Sequence, residues 1–259
     1  MGFEINDIND LKKAKLLLES PGIAAKITNL LGTPIEKGLD LLPDIWNSKI
    51  GEVTKVALTK AVEAALLTMS GGMKEAASNS WHKLAVMATG GAGGFFGLPG
   101  LAIELPISTT IMLRSIADIA RSEGEQIHSH ESKMACIEVF ALGGTNKDDD
   151  AAESGYFAIR AALAHSVKKA VEHIAEKGLS QKSSQVFVRL IIQVAERFSI
   201  QVSEKAAMQA VPAIGAAGGA VINTLFITHF QDMARGHFIV RRLEGKYGYE
   251  EVRKIYYDV

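Results

Sequence analysis

A chain of 259 residues with 47% hydrophobic content carries enough apolar surface for a packed core, which excludes a disordered or collagen-like protein. Its 28 basic and 29 acidic residues nearly cancel to a formal charge of −1, so there is no general electrostatic footprint for nucleic acid, and none is expected as a partner. The lone cysteine, Cys136, cannot close an internal disulfide, and the acidic start MGFEINDIND lacks the basic flank and apolar stretch of a signal peptide, so a cytoplasmic protein is expected.

Helix punctuation recurs along the chain, whereas alternating β-branched runs bounded by turn signals are nearly absent. The expected fold is all-α, a multi-helix single domain. Thr33-Pro34-Ile35-Glu36 reads as a helix start, with a capping Thr, Pro at the first helical position and Glu three residues after the cap. Further helices are predicted over about 50–70, 74–89, 101–122, 130–142, 151–177 and 180–209. Their stops fall at Gly71-Gly72, Gly124, Gly143-Gly144 and Gly178, where glycine adopts a left-handed conformation cheaply. The charged loop Thr145–Asp150 is expected to supply acidic residues to the amino end of the helix that follows.

Two apolar, glycine-containing segments form the expected centre of the domain. From Leu84 to Leu113 the only charge is Glu104, and from Ala206 to Thr228 there is none. Gly90/Gly94, Gly93/Gly97 and Gly215/Gly219 have the small-x-x-x-small spacing that lets helices approach closely. Each segment approaches the length of a membrane span. Pro99, Pro106 and Glu104 interrupt the first, however, and Pro212 and Asn223 the second, so a core helix or shallow interfacial insertion fits better than a full span. Phe95, Phe96 and Leu98, beside the glycines, are the candidate membrane-contact residues. A phosphate-loop reading fails, because Phe96 stands where G-x-G-x-x-G needs glycine and no G-x-x-x-x-G-K-[ST] occurs.

The polar residues inside these apolar helices are the candidate site. Glu104 needs a cation, a hydrogen-bond donor or a metal if buried. Asp118 lies on the same drifting face, with Arg114 four residues before it as an expected partner. Glu138 is a second carboxylate in an apolar helix, and Arg160 is a suitable planar partner for a buried carboxylate. His229, Asp232 and His237 fall within one broad helical face, and His237, Arg241 and Glu244 follow i, i+4, i+7 spacing. A divalent metal could use His229, Asp232 and His237 with a glutamate from another helix, but H-E-x-x-H is absent, which favours an interhelical network of ion pairs and hydrogen bonds. Without G-x-S-x-G, and with Cys136 flanked by apolar residues, nucleophilic catalysis finds no candidate.

Several ordered motifs carry a family resemblance. They are Gly90-Gly-Ala-Gly-Gly-Phe-Phe-Gly-Leu-Pro-Gly100, Glu104-Leu-Pro106, Leu113–Arg121, Glu138–Gly144, Tyr156, Arg160, Val211–Gly218, Asn223 and Ala234-Arg-Gly-His237. Together they resemble the EcsC family of bacterial proteins over roughly Ile50 to Tyr249. The expected division is therefore an N-terminal helical extension, 1–45, and an EcsC-like helical domain, 46–259. The family takes its name from a gene beside an ABC transporter in some bacteria, and the resemblance implies no defined activity.

Two functions compete. The first is a peripheral accessory or regulatory protein on the inner membrane face, linked to a transport complex, with a membrane surface or membrane protein complex as partner. The second is a soluble helical metal-dependent hydrolase using a buried Glu/His/Arg site. A homo-oligomer joined through the small-residue helix faces is a further alternative.

Overall fold

The computed structural model describes residues 2–32, 38–40, 42, 45–68, 97–143, 155–177, 185–210 and 215–259. Among these residues the chain is helical without strands and forms one domain, as the sequence leads one to expect. The α-helices are α1 (Ile5–Leu18), α2 (Ile23–Leu31), α3 (Ile45–Thr68), α4 (Gly97–Ser122), α5 (His130–Glu138), α6 (Gly155–Lys177), α7 (Gln185–Ala210), α8 (Gly215–Tyr247) and α9 (Tyr249–Asp258). A single 3-10 turn, Val139–Ala141, extends α5. The Thr33 helix start, the 74–89 helix and the 145–150 loop lie outside the described residues.

Local chemistry explains several boundaries. Ser129 caps α5 by accepting a hydrogen bond from the Ser132 amide at 3.1 Å. Gly124 and Gly143, at φ 94° and 76°, let the chain leave α4 and the 3-10 turn in the left-handed region. Gly248, at φ 88°, performs the same turn between α8 and α9, and Glu250 and Glu251 then meet the positive amino end of α9.

α4 and α8 lie at the centre. α4 packs against α3 and α8, α7 against α3 and α6, and α1 runs along α8. Phe140, Phe198, Phe226 and Phe230 meet where the 3-10 turn, α7 and α8 converge, with ring centroids 4.9 to 6.0 Å apart. The 1–45 segment contributes to this same body: Leu11, Ala14, Leu18 and Ile23 are core residues.

The apolar segments take different forms. Gly100–Ser122 of α4 is long and apolar enough to cross a membrane, yet 61% of its apolar window is buried within the protein. The uncharged stretch 206–228 is divided between the end of α7 at Ala210 and the start of α8 at Gly215, with Pro212 in the interval. α8 then continues unbroken for 33 residues, carrying the apolar segment into the His229–Glu244 segment.

Candidate functional site

The predicted polar residues separate into distinct environments. At the amino end of α4, Glu104 is 4% exposed and receives two hydrogen bonds from Lys205 of α7, with Nζ 2.7 Å from Oε1 and 3.0 Å from Oε2. The Asn223 amide of α8 approaches the same carboxylate at 3.4 Å, and the Lys205 ammonium also sits 4.9 Å from the centre of the Phe226 ring. The cation that Glu104 requires is therefore Lys205, which sequence reasoning missed. Two signals point to it: Glu104 is the sole charge of the first apolar segment, and Lys205 is the last charge before the second.

The second cluster joins α5, α6 and α8. Arg160 clamps Glu244 through two nearly parallel hydrogen bonds of 2.6 and 2.9 Å. Its guanidinium also donates to the Tyr156 hydroxyl at 3.3 Å, and that hydroxyl lies 3.1 Å from Nδ1 of His237. The partner of Arg160 is thus Glu244 rather than Glu138, because the Arg160 side chain reaches across to α8. Burial alone would lower the Arg160 pKa, but Tyr156 and Glu244 outweigh it and raise it. Burial keeps His237 neutral, well below the usual histidine range, and the Arg160 and Arg241 charges act in the same direction.

Glu138 faces this cluster without a hydrogen bond from any described residue. Burial pushes its carboxyl up to about 7, against the opposing attraction of Arg160 and Arg241 and with a further push from Glu244. Arg241, one helical turn from His237, turns to Glu125 at 2.7 Å. Burial would raise Glu125, but hydrogen bonds from Arg241 and Ser132 hold it below the ordinary carboxylate range. This pair opens onto a shallow groove of about 550 Å³ that Ser129, Glu131 and Arg242 also line.

The proposed metal trio does not assemble around one point. His237 is engaged by Tyr156, and Asp232 pairs with Lys26 of α2 at 3.7 Å. His229 and Met233 both pack against Gly143, so close that a Cβ there would lie 2.5 Å from Nε2 of His229 and 2.8 Å from Sδ of Met233. Burial, with a contribution from Lys26, drives the His229 pKa down to about 3; the Gly143 backbone opposes this weakly, without a well-formed hydrogen bond to either ring nitrogen. Among the described residues, no group of three His, Cys, Asp or Glu side chains is arranged to hold a metal. Asp118 pairs with Arg121 at 3.0 Å instead of Arg114, which is exposed. Cys136 is fully buried, and burial pushes its thiol up to about 12, as befits a packing residue. Phe95 and Phe96 lie outside the described residues; Leu98 is in the first turn of α4.

These features define a class: an all-α protein whose apolar core is crossed by paired interhelical charges, with no assembled metal centre among the described residues. The chain belongs to the EcsC protein family, whose model matches residues 23–243 and so reaches back through α2. Neither the curated proteins nor the solved structures contain a significant match.

Proposed function

We propose that this protein is a peripheral accessory or regulatory protein on the cytoplasmic face of the membrane, serving a membrane complex such as a transporter. The observation that carries the reading is the outer face of α4, where Ile103 and Ile107, one turn apart, are 71% and 46% exposed in the one helix among the described residues that is long and apolar enough to cross a membrane. Val221, two residues from the Asn223 that reaches Glu104, is 39% exposed and belongs to the same end of the molecule. Apolar side chains at one end suit shallow insertion, because their burial in lipid exposes no charge.

The hydrolase reading has less support. It needs Glu104, Glu138, His229, Asp232 and His237 in one pocket, whereas Glu104 is neutralised by Lys205, Asp232 by Lys26, and only Glu138 and His237 share a neighbourhood.

Liposome flotation of detergent-free protein tests the proposal. Wild type is expected to float on neutral vesicles at moderate salt, and Ile103→Glu/Ile107→Glu to lose at least tenfold in lipid-bound fraction, since burying the exposed parts of two isoleucines is worth about 2–4 kcal/mol. Both side chains point outward, so the variant should fold. Equal flotation of the two proteins, or no flotation of wild type, would overturn the reading.

A further inference from the structure

We propose that the apolar end of the molecule reads gaps in lipid packing rather than lipid charge, so that its partner is a strongly curved or loosely packed bilayer. The inference rests on the membrane reading above and names the kind of bilayer that the same face takes.

The first argument is the lack of charge on that face. Along α4, Ile103, Ile107, Thr110 and Arg114 follow i, i+4, i+7, i+11 spacing and so share one side of the helix, with Thr110 half-buried and the others exposed. Arg114, about 10 Å beyond Ile107, is the first charge on that side. On α8 no Asp, Glu, Lys, Arg or His precedes His229. The charges of Glu104 and Lys205 lie inside, 4% and 0% exposed and bonded to each other, so neither reaches a headgroup.

The hydroxyls supply the second. Thr110 donates to the Pro106 carbonyl oxygen at 2.7 Å, and Thr224, beside Val221 on α8, donates to the Ala220 carbonyl oxygen at 2.9 Å. Each hydroxyl is satisfied within its own helix, so both side chains can enter the acyl boundary without leaving a donor unpaired.

A face built this way draws nothing from anionic headgroups and depends on apolar burial alone, the regime in which curvature and lipid composition decide affinity. In a flat, tightly packed bilayer Ile103, Ile107 and Val221 must part the lipids to enter. Where curvature or unsaturated chains have already opened gaps, the same burial comes without that cost. The competing source of attraction is α3, which packs on α4 and carries the exposed cations Lys49, Lys55 and Lys60.

Flotation of the detergent-free full chain tests the inference on neutral vesicles of about 30 nm and about 400 nm diameter, with saturated and with unsaturated chains. Vesicles containing phosphatidylserine, at low and moderate salt, form the charge arm. At equal accessible lipid, the bound fraction is expected to be at least tenfold higher on small unsaturated vesicles than on large saturated ones, and to change less than twofold with salt or phosphatidylserine. Ile103→Glu/Ile107→Glu should abolish the preference, and Arg114→Gln should float like wild type. The comparison of size and chain type uses wild type alone, so it stands even if a variant misfolds. Variant-sensitive flotation that is equal on all neutral vesicles overturns this inference and leaves the membrane reading standing. Flotation that rises with phosphatidylserine and falls with salt also overturns it, and assigns the attraction to the α3 lysines. No flotation on any vesicle overturns both readings; a light-scattering mass of two chains, halved by the isoleucine variant, would then give the face to a second copy.

Discussion

Ionising Glu138 in the folded protein places a charge among apolar neighbours with no hydrogen bond from a described residue. Its pKa is therefore raised from 4.5 to about 7. Between those values the unfolded chain gives up the proton first, so this group removes stability as pH rises, by at most about 1.4 kcal/mol per pH unit. His229 acts in the opposite direction. Its pKa falls from 6.5 to about 3, so stability is present above 6.5 and is lost as pH drops through that interval, and His237 adds to the same loss. Glu138→Gln should leave the histidine contribution unopposed and so steepen the rise of stability between pH 5 and 6.5. Relative to wild type, the variant should gain about 1–3 kcal/mol on going from pH 5 to pH 7.5. Urea unfolding at these pH values measures it, and a wild-type-to-variant difference that does not change with pH would show that Glu138 titrates normally. The sequence marked Glu138, Arg160, His237 and Glu244 as polar residues on apolar helices. Which of them pair was not legible, because Arg160 and Glu244 are 84 residues apart and meet only through the packing of α6 on α8.

Close helix approach sets the fit at the scale of elements. Glycine spacing drew attention to Gly90/Gly94, Gly93/Gly97 and Gly215/Gly219, yet a tight contact among the described residues falls at Gly236. A Cβ there would lie 2.6 Å from Cγ of Leu18 and 3.0 Å from the Ala14 carbonyl oxygen, so α1 rests directly on the backbone of α8. Gly236→Val should push α1 outward, with a loss of about 1–3 kcal/mol from overpacking and faster amide exchange across Ile5–Leu18. Unchanged protection in α1 would refute the role of this contact. Gly236 stands amid Met233-Ala-Arg-Gly-His237, where no repeat marks it. Boundaries were more legible than contacts: the stops at Gly124 and Gly143 appear with the positive φ that a left-handed exit requires.

Across the whole molecule, the Lys205–Glu104–Asn223 junction ties α7, α4 and α8 together at their apolar ends. Lys205→Met would leave the Glu104 carboxylate without its cation in a dry site and should cost about 3–5 kcal/mol in urea unfolding at neutral pH. Combining it with Glu104→Leu should recover most of that loss, because an apolar pair of similar volume has no charge to desolvate. If the double variant is no more stable than Lys205→Met, the charge pair is not the source of the loss. The sequence by itself determined the all-helical class, the two apolar segments and the demand that Glu104 be neutralised, because composition, helix punctuation and the cost of a buried charge are local properties. Only the tertiary structure decided that Lys205 meets that demand and that Arg160 takes Glu244. Those pairings depend on the axial register and rotation of helices distant in sequence, which are set by the summed packing of the core rather than by any short stretch of residues.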